Sequence, residues 1–180
     1  MTVQFSLTPT GYRDIGLAHW LLAESGAWDR LGAKLADGHY SRRTVGARQF
    51  MPPGQRFVLV SRDLRNVWGW YRPDPKSGVV ALNGLDGWTC GIFRRTGGVL
   101  ASELVLDAEL AIGRLGYDCG PDGLLTYIHD AKVKSVNAGY CYKVAVWHIA
   151  GRCAECKAMA PRSADNRKTL LHKSFMLAGR

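Results

Sequence analysis

Trp88-Thr-Cys-Gly-Ile-Phe93, Arg94-Arg-Thr-Gly97-Gly98, a long stretch over 101–115, Gly120-Pro-Asp-Gly123, and Leu124-Leu-Thr-Tyr-Ile-His129 follow one another in that order. The first and last are short apolar and β-branched runs bounded by Gly, Pro or charge, which is how buried strands read. The stretch over 101–115 is a strong helix, entered by a Gly-Gly turn and left at Gly116. The sequence therefore predicts strand, turn, helix, loop, strand. The second strand ends on a carboxylate, Asp130, followed by the basic turn Ala131-Lys-Val-Lys134. Ten residues beyond Asp130 lies Tyr140, within Asn137-Ala-Gly-Tyr-Cys-Tyr-Lys143, which can open a helix. A strand that delivers an acid at its end, beside a Tyr on the next element, is a common way to build a reactive cleft.

Outward from this unit the chain alternates strands and helices. Val3-Gln-Phe-Ser-Leu reads as a strand and residues 12–24 as a helix carrying Ile15, Ala18, His19 and Leu22 on one face. A second helix is expected over 27–36, ended by Asp37-Gly38. Arg56-Phe-Val-Leu-Val-Ser and Val67-Trp-Gly-Trp-Tyr-Arg72 read as two strands joined by Arg62-Asp-Leu-Arg-Asn66. Val144-Ala-Val-Trp-His-Ile149 and Leu170-Leu-His-Lys-Ser-Phe175 are expected to close the sheet as a pair. The expected class is α+β: one domain over residues 1–180, with a central, mostly antiparallel sheet of six or seven strands flanked by helices.

With 180 residues, 47% hydrophobic and 22% charged, the composition is that of a globular chain with a real core. No apolar run approaches bilayer length, and Met1-Thr-Val-Gln-Phe-Ser lacks a signal-peptide pattern. Five cysteines (90, 119, 141, 153 and 156) form no disulfide rhythm, so a reducing cytoplasm is expected. The formal charge is +9, and residues 131–180 carry +8 of it, directly after Asp130. A basic face there suits a polyanion, nucleic acid first, and equally a solvated surface with a tail.

The element order resembles the GNAT acetyltransferase fold. In that fold the central strands splay and a turn before the long helix receives the pyrophosphate of acetyl-CoA, as backbone N–H groups at a helix start can do. The matching turn here supplies Arg94, Gly97 and Gly98, but Val99 stands where a small residue belongs. The resemblance thus keeps the frame and degrades the cofactor signature; an ordinary strand-to-helix turn is the other reading.

A narrower resemblance rests on His39-Tyr40-Ser41, Trp68-Gly-Trp-Tyr71, Asp130 and Tyr140. Together these look like the Mom family of phage DNA-modification proteins, which have a GNAT-like fold and convert adenine in DNA to a carbamoylmethyl derivative at its exocyclic amine. This shields the DNA from restriction enzymes. The resemblance implies His39, Tyr40, Asp130 and Tyr140 as the reactive residues. It also implies possible iron(II) binding by His39, Asp130 and Tyr140, with the group donor open between acyl-CoA and another small molecule. One His, one carboxylate and one Tyr fall short of the usual two-His-one-carboxylate iron site. The partner implied is double-stranded DNA.

The chemistry gives the same roles a physical meaning. An adenine amine inside a duplex is stacked and paired, so an enzyme must extrude the base and hold it against aromatic faces. Tyr40, Trp68, Trp70, Tyr71, Tyr140 and Tyr142 are candidate faces, with Trp70 and Tyr71 foremost; core packing is the alternative for each. Asp130 is expected at the amine. Lys132, Lys134, Lys143 and Arg152 are expected at phosphates. His129 should face away from Asp130 on a regular strand, and His19 reads as a core histidine. Cys153-Ala-Glu-Cys156 is a lone pair of thiols that a zinc site would need two more ligands to use. Glu103 and Ser102 open the long helix, either as reactive groups or as ordinary helix-start residues. An ordinary GNAT acyltransferase on a small-molecule or protein amine, and a non-catalytic nucleic-acid-binding protein, remain the competing classes.

Overall fold

The structure is a computed structural model that describes residues 8–74, 76, 84–133, 135–152 and 168–174. Its strands form one open sheet in the order β1-β2-β3-β4-β5-β6-β8-β7. The strands are β1 (Tyr12–Arg13), β2 (Trp20–Ala23), β3 (Gln55–Ser61), β4 (Asn66–Arg72), β5 (Trp88–Arg95), β6 (Leu124–His129), β7 (His148–Arg152) and β8 (Lys168–Lys173). Every neighbouring pair is antiparallel except β5 with β6, which is parallel. The helices are α1 (Arg30–Ala36), preceded by a 3-10 turn at Gly26–Trp28, α2 (Ala101–Arg114) and α3 (Tyr140–Val144). No described helix is long and apolar enough to cross a membrane.

A parallel pair cannot be joined by a tight turn and needs a crossover, and α2 supplies it between β5 and β6. Its inner stripe, Leu104, Val105, Ala108, Ala111 and Ile112, is fully buried. The stripe lies against one face of the sheet, in a core that includes Trp20, Trp68, Trp70, Trp88 and Leu124. Each of those four indoles is 0% exposed. At about 150–250 Å² of surface per aromatic ring and ~25 cal/mol/Å², each contributes several kcal/mol of burial. Indole N–H groups also need acceptors: Trp20 donates to the Leu104 carbonyl at 2.9 Å and Trp70 to the Ala108 carbonyl at 3.0 Å. The opposite face carries Val58, Val60, Val67, Tyr71 and Ile92, covered by Ala36 of α1 and Met51. The alternation along Val67-Trp68-Gly69-Trp70-Tyr71 thus divides β4 between the two cores.

Glu109 of α2 fastens the far edge. It is 4% exposed, and its carboxylate accepts from Trp147 Nε1 at 2.6 Å and from Lys173 Nζ at 2.6 Å. Lys173 also donates to the Ala145 carbonyl at 2.9 Å. Burial pushes the Glu109 carboxyl up from its ordinary range, while Lys173 and Trp147 hold it down.

Three expectations change. Residues 12–24 form no helix; β1, a turn and β2 stand there instead. Asp14 accepts from Gly16 N–H at 2.9 Å, Gly16 has φ +76°, and Asp107 of α2 accepts from the Ala18 and His19 N–H groups at 3.1 and 2.7 Å. All four residues of β2 are buried, which a strand packed on both faces requires and a one-faced helix does not. With β1 and β2 the sheet has eight described strands rather than six or seven. Residues 144–149, expected as a strand, instead end α3 and turn at Val146 (φ 65°) before β7 begins at His148. The expected pairing of the last two strands does form, between β7 and β8. The expected strand over 3–7 and Cys153-Ala-Glu-Cys156 lie outside the described residues.

Candidate functional site

β5 and β6 pair only at Trp88↔Leu124, Thr89↔Leu125 and Cys90↔Thr126. Beyond Cys90, β5 stays with β4 through Ile92↔Gly69 and Phe93↔Trp68. Beyond Thr126, β6 stays with β8 through Tyr127↔Leu170, Ile128↔Thr169 and His129↔Lys168. The two strands therefore part, and a cavity of about 340 Å³ opens between them. Its floor and walls come from Cys90, Gly91, Ile92, Thr126, Ile128 and His129; the 39–41 loop, Tyr71, Tyr142 and Lys168 complete it.

Tyr142 reaches the cavity from α3, with its hydroxyl 3.3 Å from Cys90 Sγ. Burial raises the phenol well above its ordinary range and pushes the Cys90 thiol up to about 12, so both hold their protons at neutral pH. The start of α3 sits hard against the sheet because residue 139 is glycine. A Cβ there would lie 2.3 Å from Ile128 Cδ1 and 2.9 Å from Leu171 Cδ1, and its φ is +73°.

His39 and Tyr40 form the opposite wall, their rings 4.2 Å apart. The Ser41 backbone N–H donates to His39 Nδ1 at 3.2 Å, with Ser41 Oγ 2.7 Å from the same nitrogen. A backbone N–H only donates, so Nδ1 is the acceptor and the neutral ring carries its proton on Nε2. Burial, helped by the nearby Arg94 charge, lowers the His39 pKa to about 4. Tyr40 Oη accepts from the His129 backbone N–H at 3.4 Å. Burial raises the Tyr40 phenol, and the charge of Asp130 pushes in the same direction.

The His39 shift has a measurable consequence. The folded value of about 4 lies below the ordinary ~6.5, so the unfolded chain takes up the proton first as pH falls. The stability due to neutral His39 is complete above ~6.5 and is lost as pH drops towards 4. Denaturant titrations of wild type and His39→Gln over that window should differ in slope by up to about 1.4 kcal/mol per pH unit, wild type falling more steeply. Parallel curves would contradict a half-buried imidazole kept neutral by the fold.

The remaining expected residues fall elsewhere. Of the set His39, Asp130 and Tyr140, only His39 lines the cavity. Asp130 Oδ2 accepts from Thr169 Oγ1 at 3.0 Å, and the Asp130 charge acts on Tyr40. Tyr140 is 61% exposed. Residues two apart on a helix project about 200° apart, so burying Tyr142 turns Tyr140 outward. Among the described residues no cluster of three or more His, Cys, Asp or Glu is placed to hold a metal ion.

The expected pyrophosphate turn is also occupied by the protein itself. Arg94 donates to the Gly38 carbonyl, holding the loop that carries His39. Arg95 caps the turn, donating to the Val99 and Gly98 carbonyls at 2.6 and 3.0 Å. Thr96 N–H donates to Asn66 Oδ1 at 3.0 Å, and Asp63 Oδ2 lies 2.5 Å from where a Cβ on Gly98 would be. Gly97 faces Arg65. A carboxylate against the turn and arginines bonded inward do not fit a diphosphate.

Trp70, expected to stack on a base, is fully buried under α2 and stacks on Trp147 instead, with centroids 6.4 Å apart. Tyr71, 6% exposed, lies on the other face of β4 and lines the cavity. Lys132 is exposed, three residues past the end of β6. Lys143 donates to Asn137 Oδ1 at 2.6 Å. Lys134 and the Arg152 side chain lie outside the described residues. Sequence reasoning gave Cys90, Thr126 and Lys168 no place in the site, set His129 aside as facing away from Asp130, and offered Tyr142 only as one aromatic among six. The helix spacing of Tyr140 and Tyr142 was the one signal that could have separated those two.

His129 differs from its neighbours. It is 5% exposed, and neither ring nitrogen has a hydrogen-bond partner among the described residues. Leaving such a group unpaired costs about 1–3 kcal/mol.

Comparison with protein-family models, with curated proteins and with solved structures finds no match to this chain.

Proposed function

We propose that this protein is a base-modifying transferase of the Mom type, on a GNAT-like frame, that takes an adenine extruded from double-stranded DNA into the cavity between β5 and β6. The observation that carries this reading is the cavity itself: about 340 Å³, opened by two diverging strands and walled by the rings of His39, Tyr40, Tyr71 and Tyr142. That volume sits at the small end of ligand pockets, roughly 300–1,000 Å³, and suits one planar base with a small donor group. A flipped base is held by stacking on aromatic faces and by polar groups at its edge. The strand order, with one parallel pair bridged by a long helix, supports the GNAT-like frame.

Within this reading His39 faces the site as a hydrogen-bond donor. Its Nδ1 accepts from Ser41 and the ring is neutral at physiological pH, so Nε2 carries the proton and donates to an acceptor atom of the bound base or of the group being transferred. The Tyr40 ring lies tilted beside it and stays protonated. Lys168 at the cavity and Lys132 beyond β6 supply positive charge for the phosphates flanking an extruded base. The group donor is a small molecule. Acyl-CoA bound at the Arg94–Gly98 turn is disfavoured by the Asp63 carboxylate there, which weakens the alternative of an ordinary N-acyltransferase.

DNA binding tests the partner. Affinity for a duplex should fall steeply with salt, as counterion release becomes less favourable. Lys132→Ala should weaken binding about equally for all sequences and reduce the log–log salt slope by about one. Absence of duplex affinity at low salt would return the reading to a small-molecule acyltransferase.

A further inference from the structure

The cavity holds two histidines, and only one has its polar needs met. His39 is bonded to Ser41, whereas both nitrogens of His129 are sealed from solvent and unpartnered among the described residues. His129 nevertheless lines the cavity, at the end of β6 where the strands are furthest from their last pairing. Against it stands Tyr40, its ring edge-on with centroids 6.2 Å apart and its hydroxyl accepting from the His129 backbone N–H at 3.4 Å. A neutral imidazole has one donor and one acceptor nitrogen. If this side chain only filled space against Tyr40, phenylalanine would do so without the cost of unpaired nitrogens.

We propose that His129 is the recognition group of the cavity. Once the Tyr40 side chain swings aside, its acceptor nitrogen takes an N–H from an aromatic amine on the bound ligand. The claim rests on the base-modifying reading and deepens it: His129 is what distinguishes a base carrying an exocyclic amine from one without. Tyr40 then has two positions, over His129 in the empty site and against the face of the base in the filled one. A single side-chain rotation of this kind is fast compared with turnover.

The experiment uses the full chain and two single-stranded oligonucleotides of thymine with one central purine. In one the purine is adenine; in the other it is unsubstituted purine, which lacks the amine. Single strands remove any difference in the energy of extrusion. Wild type should bind the adenine strand at least about tenfold more tightly. His129→Phe should bind both strands equally and melt at a higher temperature than wild type. His129→Leu, smaller and free of any clash, should show the same loss of discrimination. Equal binding by wild type, discrimination kept by both variants, or lower melting of both variants would overturn the role of His129 and leave the DNA reading standing. Wild-type protein that binds neither strand would contradict the DNA reading, and the base assignment with it.

Discussion

Tyr142→Ala should destabilise the protein by about 3–5 kcal/mol, while Tyr140→Ala, two residues earlier, should change stability by about 0.5 kcal/mol or less. The Tyr142 ring is 6% exposed and packs edge-on or tilted against Trp68, Phe93 and Trp147 at centroid distances of 5.2–6.2 Å. Its removal leaves a large void between α3 and the sheet and strips the Cys90 thiol of its hydroxyl partner. Tyr140 is 61% exposed and has little packing to lose. Tyr142→Phe separates packing from the hydroxyl: it should keep most of the stability, losing only one buried hydrogen bond, about 1 kcal/mol. Urea titrations of the three variants measure this. Comparable losses in the two alanine variants would mean that α3 is rotated from the orientation described, and that Tyr140, as the family resemblance implies, faces the site.

That contrast also marks where sequence reasoning succeeds. β3, β4, β5, α2 and β6 are all readable within one or two residues, because apolar runs are punctuated by Gly, Pro or charge and the long helix has a strong stripe. The N-terminal strands are not readable. Ile15, Ala18, His19 and Leu22 mimic a helical face, and only pairing with β3, Trp20↔Ser61 to Leu22↔Leu59, settles the conformation. Propensity loses there to a long-range partner.

The site divides in the same way. His39 and Tyr40 enter through the family resemblance, and both line the cavity. The side of the sheet on which the cavity opens is set by how β5 and β6 part after Cys90 and Thr126, which no local pattern encodes. Asp130, the most visible carboxylate, sits one residue past the strand and bonds Thr169; His129, one residue earlier, lines the cavity. Trp68 and Trp70 read equally as faces for a base and as core packing, and core packing is the outcome. Gly69 leaves room for Met51 on one face, a Cβ there lying 2.2 Å from Met51 Sδ, while both indoles turn under α2.

The second large effect is on the reaction. His39→Ala should lower the yield of modified nucleoside by roughly 10²–10³-fold, the usual cost of losing one hydrogen-bond donor aimed at the reacting group. Folding should be largely kept, because the ring lies on a loop wall rather than in either hydrophobic core. Removing the ring also leaves Arg94 bonded to the Gly38 carbonyl, so the loop keeps its anchor.

The central claim is that adenine in DNA is the substrate, and mass spectrometry of nucleosides from DNA of cells making this protein tests it most directly. The account predicts a new adenine nucleoside carrying a small neutral amide-bearing group, present with wild-type protein and missing with His39→Ala. That DNA should resist restriction enzymes whose sites contain adenine and stay sensitive to those reading only G·C pairs. Unmodified nucleosides alone, from cells containing soluble wild-type protein and DNA that it binds, would contradict it.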